Sequence, residues 1–141
     1  MSENIERKLI MEAIEVRRNS YSPYSQYSVG AAILGDDGRI YTGANIENAS
    51  YGCTICAERS AATKACSNGV RVFEKIAIVG GPKNSKGKDY DYSYPCGICR
   101  QFLNEFCSEE LDVIIAKDLE DFRIIKFKEI LPNSFGPKNL K

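Results

Sequence analysis

Two Cys-x-x-Cys pairs stand about forty residues apart, Cys53 with Cys56 in "SYGCTICAERSAA" and Cys96 with Cys99 in "SYPCGICRQF". Thiols at that separation converge on one soft cation, and zinc–thiolate bonds supply a large binding energy. Two arrangements follow. All four sulfurs can close a structural site, or three can hold the metal and leave a fourth position open to water. Glu58, two residues beyond Cys56, offers a carboxyl for proton transfer beside such a site. Histidine is wholly absent, which removes Ser-His and Cys-His arrangements and every histidine-ligated metal site. Carboxylates, thiolates and hydroxyls must do any chemistry.

The elements that carry these residues can be read from period and punctuation. Ile5, Leu9, Ile10 or Met11, Ile14 and Val16 recur at helical spacing between charges, predicting a helix from Asn4 to Asn19. "VGAAIL", "GDDGR" and "IYTGANI" read as a hairpin. Thr54 is a candidate cap for a helix running to about Ser67, with Ala57, Ala61, Ala62 and Ala65 allowing close approach to a neighbouring layer. "VFEKIAIVG" is a third strand, and residues 81–94 form a polar exposed loop longer than that connection needs. Pro95 precedes a helix from about Cys96 to Cys107, and "LDVIIAK" and "FRIIKF" are the last strands, before one turn at "KEILP". This order predicts a central mixed sheet with helices packed on it.

That layout bears on the metal. Four-cysteine knuckles belong to small modules with little core of their own, whereas 141 residues with 43% apolar content can bury one as a single unit. Cys56, Cys96 and Cys99 fall at predicted helix starts, where the backbone lowers a thiol pKa. Lys plus Arg equals Asp plus Glu at 19 each, and no basic run is interleaved with aromatics, so nucleic acid is a poor partner. The N-terminal stretch has spread charges and no long apolar run, so neither an export signal nor a membrane span is expected, and the cytoplasm is the expected compartment. Six cysteines there stay reduced.

Glu58 tips the balance toward the open site. Cys-Ala-Glu followed by Pro-Cys-x-x-Cys is the three-cysteine form of the arrangement used by zinc deaminases, in which the glutamate is an acid/base and not a ligand. With "YSPYSQYSVGAAI", "TGANIENASYG", "CAERSA", "PCGICRQF" and "EILPNSFGP" in order, nearly the whole chain resembles the homotetrameric zinc-dependent cytidine deaminases. The resemblance implies a three-layer α/β fold with a five-stranded mixed sheet and helices on both faces. It implies one Zn2+ per subunit on Cys56, Cys96 and Cys99, with Cys53 a bystander, and Glu58 shuttling protons in hydrolytic deamination of a free nucleoside. Arg59 is then expected to offset the charge of the sulfurs, while Arg100 reads as structural. Matching positions make Tyr27 the ring that stacks on the base, with a hydroxyl where relatives often have phenylalanine. They put the Ala57 backbone on the base, Asn45 and Glu47 on the sugar, and Tyr51 and Phe135 across subunit contacts. Glu47 beside the sugar would repel a 5′-phosphate, favouring the nucleoside over CMP or a polynucleotide. Cys66 and Cys107 read as small buried hydrophobes.

Overall fold

A computed structural model describes residues 2–141, with side chains from Ile5 onward. Helix α1 (Ser2–Arg17) leads into the hairpin β1 (Tyr27–Gly35) and β2 (Ile40–Ala44). Then come α2 (Ala57–Ser67), β3 (Phe73–Pro82), α3 (Gly97–Asn104), β4 (Asp112–Ala116) and β5 (Phe122–Lys126). The sheet order is β2-β1-β3-β4-β5; β3 and β4 run parallel and every other pair is antiparallel. This is the mixed five-stranded sheet expected from the sequence.

Strands buried on both faces read as continuous apolar runs, and successive side chains divide between two cores. Ala31 and Ile33 of β1, Ile76 and Ile78 of β3, and Val113 and Ile115 of β4 pack with Ala61, Ala65 and Leu103 on the α2/α3 face. Ala32, Ala77, Val79, Ile114 and Ala116 turn to the other face, against Leu9, Ile10 and Ala13 of α1. Helices therefore cover both faces. Ile10 and not Met11 is the inward residue of α1, since Met11 is exposed. Cys66 and Cys107 pack, part-buried, against the α2/α3 core, and burial pushes the Cys107 thiol up to about 12. Among the described residues, no helix is long and apolar enough to cross a membrane.

The alanine-rich face of α2 lies directly on β2. A Cβ added at Gly43 would stand 2.4 Å from the Ala61 backbone nitrogen, so only glycine permits this approach.

Helix α1 ends at Arg17, two residues before the expected Asn19, and two boundaries next to the metal motifs also differ from the sequence expectation. Thr54 does not cap α2; Cys56 occupies the N-cap with extended backbone, and its carbonyl accepts from Ser60 N at 3.0 Å. The residues just before it are held as extended chain, because Ile46 and Ile55 exchange two backbone hydrogen bonds of 2.9 and 3.0 Å. Helix α3 stops at Asn104 and not near Cys107. The Phe106 carbonyl accepts from Phe73 N at 2.8 Å, which draws the chain off the helix axis toward the start of β3.

Candidate metal and active site

Two helix starts meet at one point. Cys56 is the N-cap of α2, Cys96 the N-cap of α3, and Cys99 lies in the first turn of α3. Their three Sγ atoms all lie within 4.8 Å of one another, with Cys56 Sγ and Cys96 Sγ 3.7 Å apart. Tetrahedral coordination with zinc–sulfur bonds near 2.3 Å requires sulfur–sulfur separations of about 3.8 Å. The donor set therefore fits zinc in both chemistry and spacing. Cys53 is exposed on the short 3-10 turn Tyr51–Cys53 and lines a different depression, with Ile46, Asn48, Ile55 and Ser60.

The electrostatics favour thiolate at the α2 start. A hydrogen bond from the Cys99 thiol, with further help from Cys96 and Arg59, lowers the Cys56 pKa to about 5. Cys99 is driven upward by the same bond and by burial. Arg59 stands beside them. Burial alone would lower its pKa, yet the sulfurs of Cys56 and Cys99 outweigh that and raise it. Its Nη2 donates to Thr54 O at 3.1 Å, while Nε is buried with no hydrogen-bond partner. A guanidinium with an unspent donor beside sulfurs suits a site whose thiolates carry full negative charge.

Glu58, in the first turn of α2, is 5% exposed. Desolvation, with a smaller push from Cys56, raises its pKa to about 7. It shares a cavity of about 330 Å³ with Tyr27, Asn45, Glu47, Cys56, Ala57 and Cys96. Residues far apart in sequence are thus gathered at the carboxyl end of β2, the start of β1 and the two helix starts.

Asn45 is heavily committed to the fold. Its Oδ1 accepts from Val29 N at 2.9 Å and from Ser20 Oγ, and its Nδ2 donates to Tyr27 O at 2.9 Å. One Nδ2 hydrogen remains for a ligand. Glu47 Oε1 accepts from Tyr24 N at 3.0 Å and Ser25 N at 3.1 Å, and Oε2 accepts from Ser25 Oγ. Burial opposes its charge, but these bonds win and hold its carboxyl below the usual range. Arg100 donates to Pro95 O at 2.7 Å and Ile130 O at 2.8 Å, a structural brace behind the metal motif.

Two of the residues expected to contact substrate lie outside this cavity. Tyr51 is 72% exposed and lines a neighbouring depression with Tyr24, Ser25, Glu47 and Thr54. Phe135 is 59% exposed near the C-terminus, its carbonyl accepting from Gln101 Nε2 and Asn104 Nδ2 at 3.0 Å each. Neither is a core aromatic of this chain. The sequence reading missed Ser93 and Tyr94, which line the cavity from the polar loop. The signal was the Tyr27 hydroxyl: a phenol at a half-buried position needs polar partners, and Ser93 Oγ, 2.7 Å away, is one.

A three-layer fold that directs two helix starts and a buried carboxyl at a three-thiolate site defines a metal-dependent enzyme of the deaminase class. Residues 3–115 match the family model for the cytidine and deoxycytidylate deaminase zinc-binding region. A cytidine deaminase of Sporosarcina psychrophila is 41% identical over 133 residues, covering 94% of this chain and 93% of that one. Another, from Halalkalibacterium halodurans, is 43% identical over 132 residues, covering 94% and 95%. The crystal structure of cytidine deaminase from Burkholderia pseudomallei superposes with a TM-score of 0.78 at 37% identity, covering 91% of this chain and 97% of that one. That of Mycobacterium tuberculosis does so at 0.75 and 36%, covering 92% and 95%. The chain belongs to the zinc-binding cytidine deaminase family.

Proposed function

We propose that residues 1–141 act as one catalytic unit that deaminates free cytidine and deoxycytidine to uridine and deoxyuridine, releasing ammonia. Cys56, Cys96 and Cys99 are its zinc ligands. The observation that carries this reading is the Glu58 carboxyl, buried in the same cavity as the Cys56 and Cys96 sulfurs and poised near neutrality. Bound zinc supplies a Lewis acid that acidifies a water molecule in the cavity.

The residues of the chain do the rest. Glu58 takes a proton from the water as its oxygen bonds to C4 of cytosine, and delivers that proton to N3. It then passes the second proton to the departing amino group, the C4–N4 bond breaks, and ammonia leaves. A pKa near 7 suits a group that must accept and return protons within one cycle. Arg59 offsets the negative charge of the sulfurs, which would otherwise weaken the metal's pull on electrons. Tyr27 stacks on the base, the Ala57 backbone hydrogen-bonds it, and Asn45 and Glu47 bind the sugar hydroxyls. Glu47 stays ionised and repels a 5′-phosphate, so the substrate is the nucleoside and not CMP or a polynucleotide.

Tyr51 and Phe135, exposed and outside this chain's own cavity, complete the pockets of neighbouring subunits in a homotetramer that works in the cytoplasm. The functional test is the absorbance change of cytidine incubated with zinc-loaded protein, with adenosine as control. Turnover of cytidine that stops on chelation and returns with zinc is expected; an inert zinc-loaded protein would overturn the assignment.

A further inference from the structure

Residues 83–94 run out from β3 and return, and the returning stretch 90–94 is laid over the ends of β1 and β3 before entering the metal motif. Asp91 N donates to Gly80 O at 3.2 Å. The strand beneath has no side chains to obstruct it: a Cβ at Gly80 would stand 2.6 Å from Ser93 Oγ, and one at Gly81 2.5 Å from the Tyr90 ring. Buried Arg17 anchors the foot of this wall. Its Nε donates to Ser28 O at 2.8 Å, its Nη2 to Gly81 O at 2.9 Å and Pro82 O at 2.8 Å, and its Nη1 to Tyr90 Oη at 2.8 Å. The guanidinium also lies 4.2 Å from the centre of the Tyr90 ring.

A second attachment holds the tip. Tyr27 Oη donates to Asp91 Oδ2 at 3.1 Å and lies 2.7 Å from Ser93 Oγ. A phenol has one proton, so with Asp91 accepting it, Ser93 is the donor to Tyr27. The Tyr27 ring and Ser93 both face the cavity, as does Tyr94.

We propose that the Tyr27 hydroxyl, through Ser93 and Asp91, pins the 90–94 wall to the stacking ring and sets which cytosines the pocket accepts at C5. This rests on the functional reading above. With Glu58 serving N3, the cysteines at C4 and Asn45 and Glu47 at the sugar, the lining residues left for the rest of the base, its C5 edge included, are Ser93 and Tyr94 of the wall with Val29, Thr54 and Ile78. A wall fixed at both ends has little room to yield to a substituent there. Tyr27 is the specificity-determining residue, and Ser93 and Asp91 position it.

Because Arg17 and Tyr90 anchor the wall independently, Tyr27→Phe removes the pin and keeps the ring. The test compares zinc-loaded native protein, Tyr27→Phe, Ser93→Ala and Asp91→Asn, reading kcat and KM for cytidine and 5-methylcytidine alongside zinc content and Tm. Loss of one partly exposed hydrogen-bonded pin predicts a rise of about three- to tenfold in KM for cytidine with kcat within about twofold. The preference for cytidine over 5-methylcytidine should fall by a similar factor in Tyr27→Phe and Ser93→Ala, with zinc and Tm unchanged. Asp91→Asn keeps an acceptor oxygen and should stay closer to native. Unchanged KM and preference in Tyr27→Phe overturn the proposal alone, as does a KM rise that tracks lost zinc or a lowered Tm. Native protein inert on cytidine overturns the functional reading and this proposal with it.

Discussion

Replacing Glu58 by glutamine tests the proton shuttle with little disturbance of the fold. Glutamine is nearly isosteric, and Glu58 is almost fully buried in the first turn of α2. Its carboxyl is uncomfortable there when ionised, as the rise to about 7 records, so the neutral amide should leave Tm unchanged or slightly higher. Cys56, Cys96 and Cys99 remain, so zinc content should stay at one per chain. An amide cannot accept and return a proton. General acid–base catalysis is worth about 10²- to 10⁴-fold, and one group serving two transfers belongs at the upper end. We therefore expect kcat to fall about 10⁴-fold, on the order of 5.5 kcal/mol of barrier, with KM within about threefold. Steady-state kinetics on cytidine, metal analysis and a thermal melt on one preparation provide the three readings. A kcat loss below about tenfold, or a loss matched by departure of zinc, would refute the reasoning.

Four further outcomes are expected. Cys53→Ser should retain full zinc on metal analysis, whereas Cys96→Ser should lose it, since Cys53 lies on a separate exposed turn and Cys96 is within the sulfur cluster. Gly43→Ala should lower stability by about 1–3 kcal/mol in urea titration, because the Ala61 backbone nitrogen stands in the way of the added methyl. Asp112 accepts from Lys75 Nζ at 2.7 Å and Lys126 Nζ at 2.6 Å, and these bonds hold its carboxyl below the ordinary 3.8 despite burial. A depressed carboxyl stabilises the fold above its unfolded pKa and ceases to do so as pH falls through the folded value. Native protein should therefore exceed Asp112→Asn by about 1 kcal/mol at neutral pH, with the difference shrinking progressively in melts taken as the pH is lowered past 3.8. Phe135→Ala should lower kcat/KM about tenfold with zinc unchanged, and sedimentation should report four chains per particle.

The chemistry was more legible in the sequence than the walls around it. Cys96 and Cys99 share one helix start and Glu58 follows Cys56 at fixed spacing, so local geometry pairs these groups on α3 and α2, and the packing of the two helix starts brings the pairs together. The strands were legible because each core run is bounded by turn residues, as "GDDGR" bounds β1 and β2. The starts and ends of helices were less so. Thr54 has the composition of a cap, and what denies it that place is the Ile46–Ile55 pairing, a contact between segments. Likewise α3 ends early because Phe106 O is claimed by Phe73. The placement of residues 90–94 lay further out of reach. Tyr27 meets Asp91 and Ser93 across more than sixty positions of chain, where the glycine shelf at Gly80 and Gly81 and the Arg17–Tyr90 contact let the returning chain lie close.

The most direct measurement of the central claim is ammonia release from cytidine and from CMP by the same zinc-loaded preparation. If Glu58, in one cavity with the Cys56 and Cys96 sulfurs, moves the protons and ionised Glu47 meets the sugar, as proposed, release from cytidine is rapid and release from CMP at least about a hundredfold slower. No release from cytidine, or equal release from both, would contradict it.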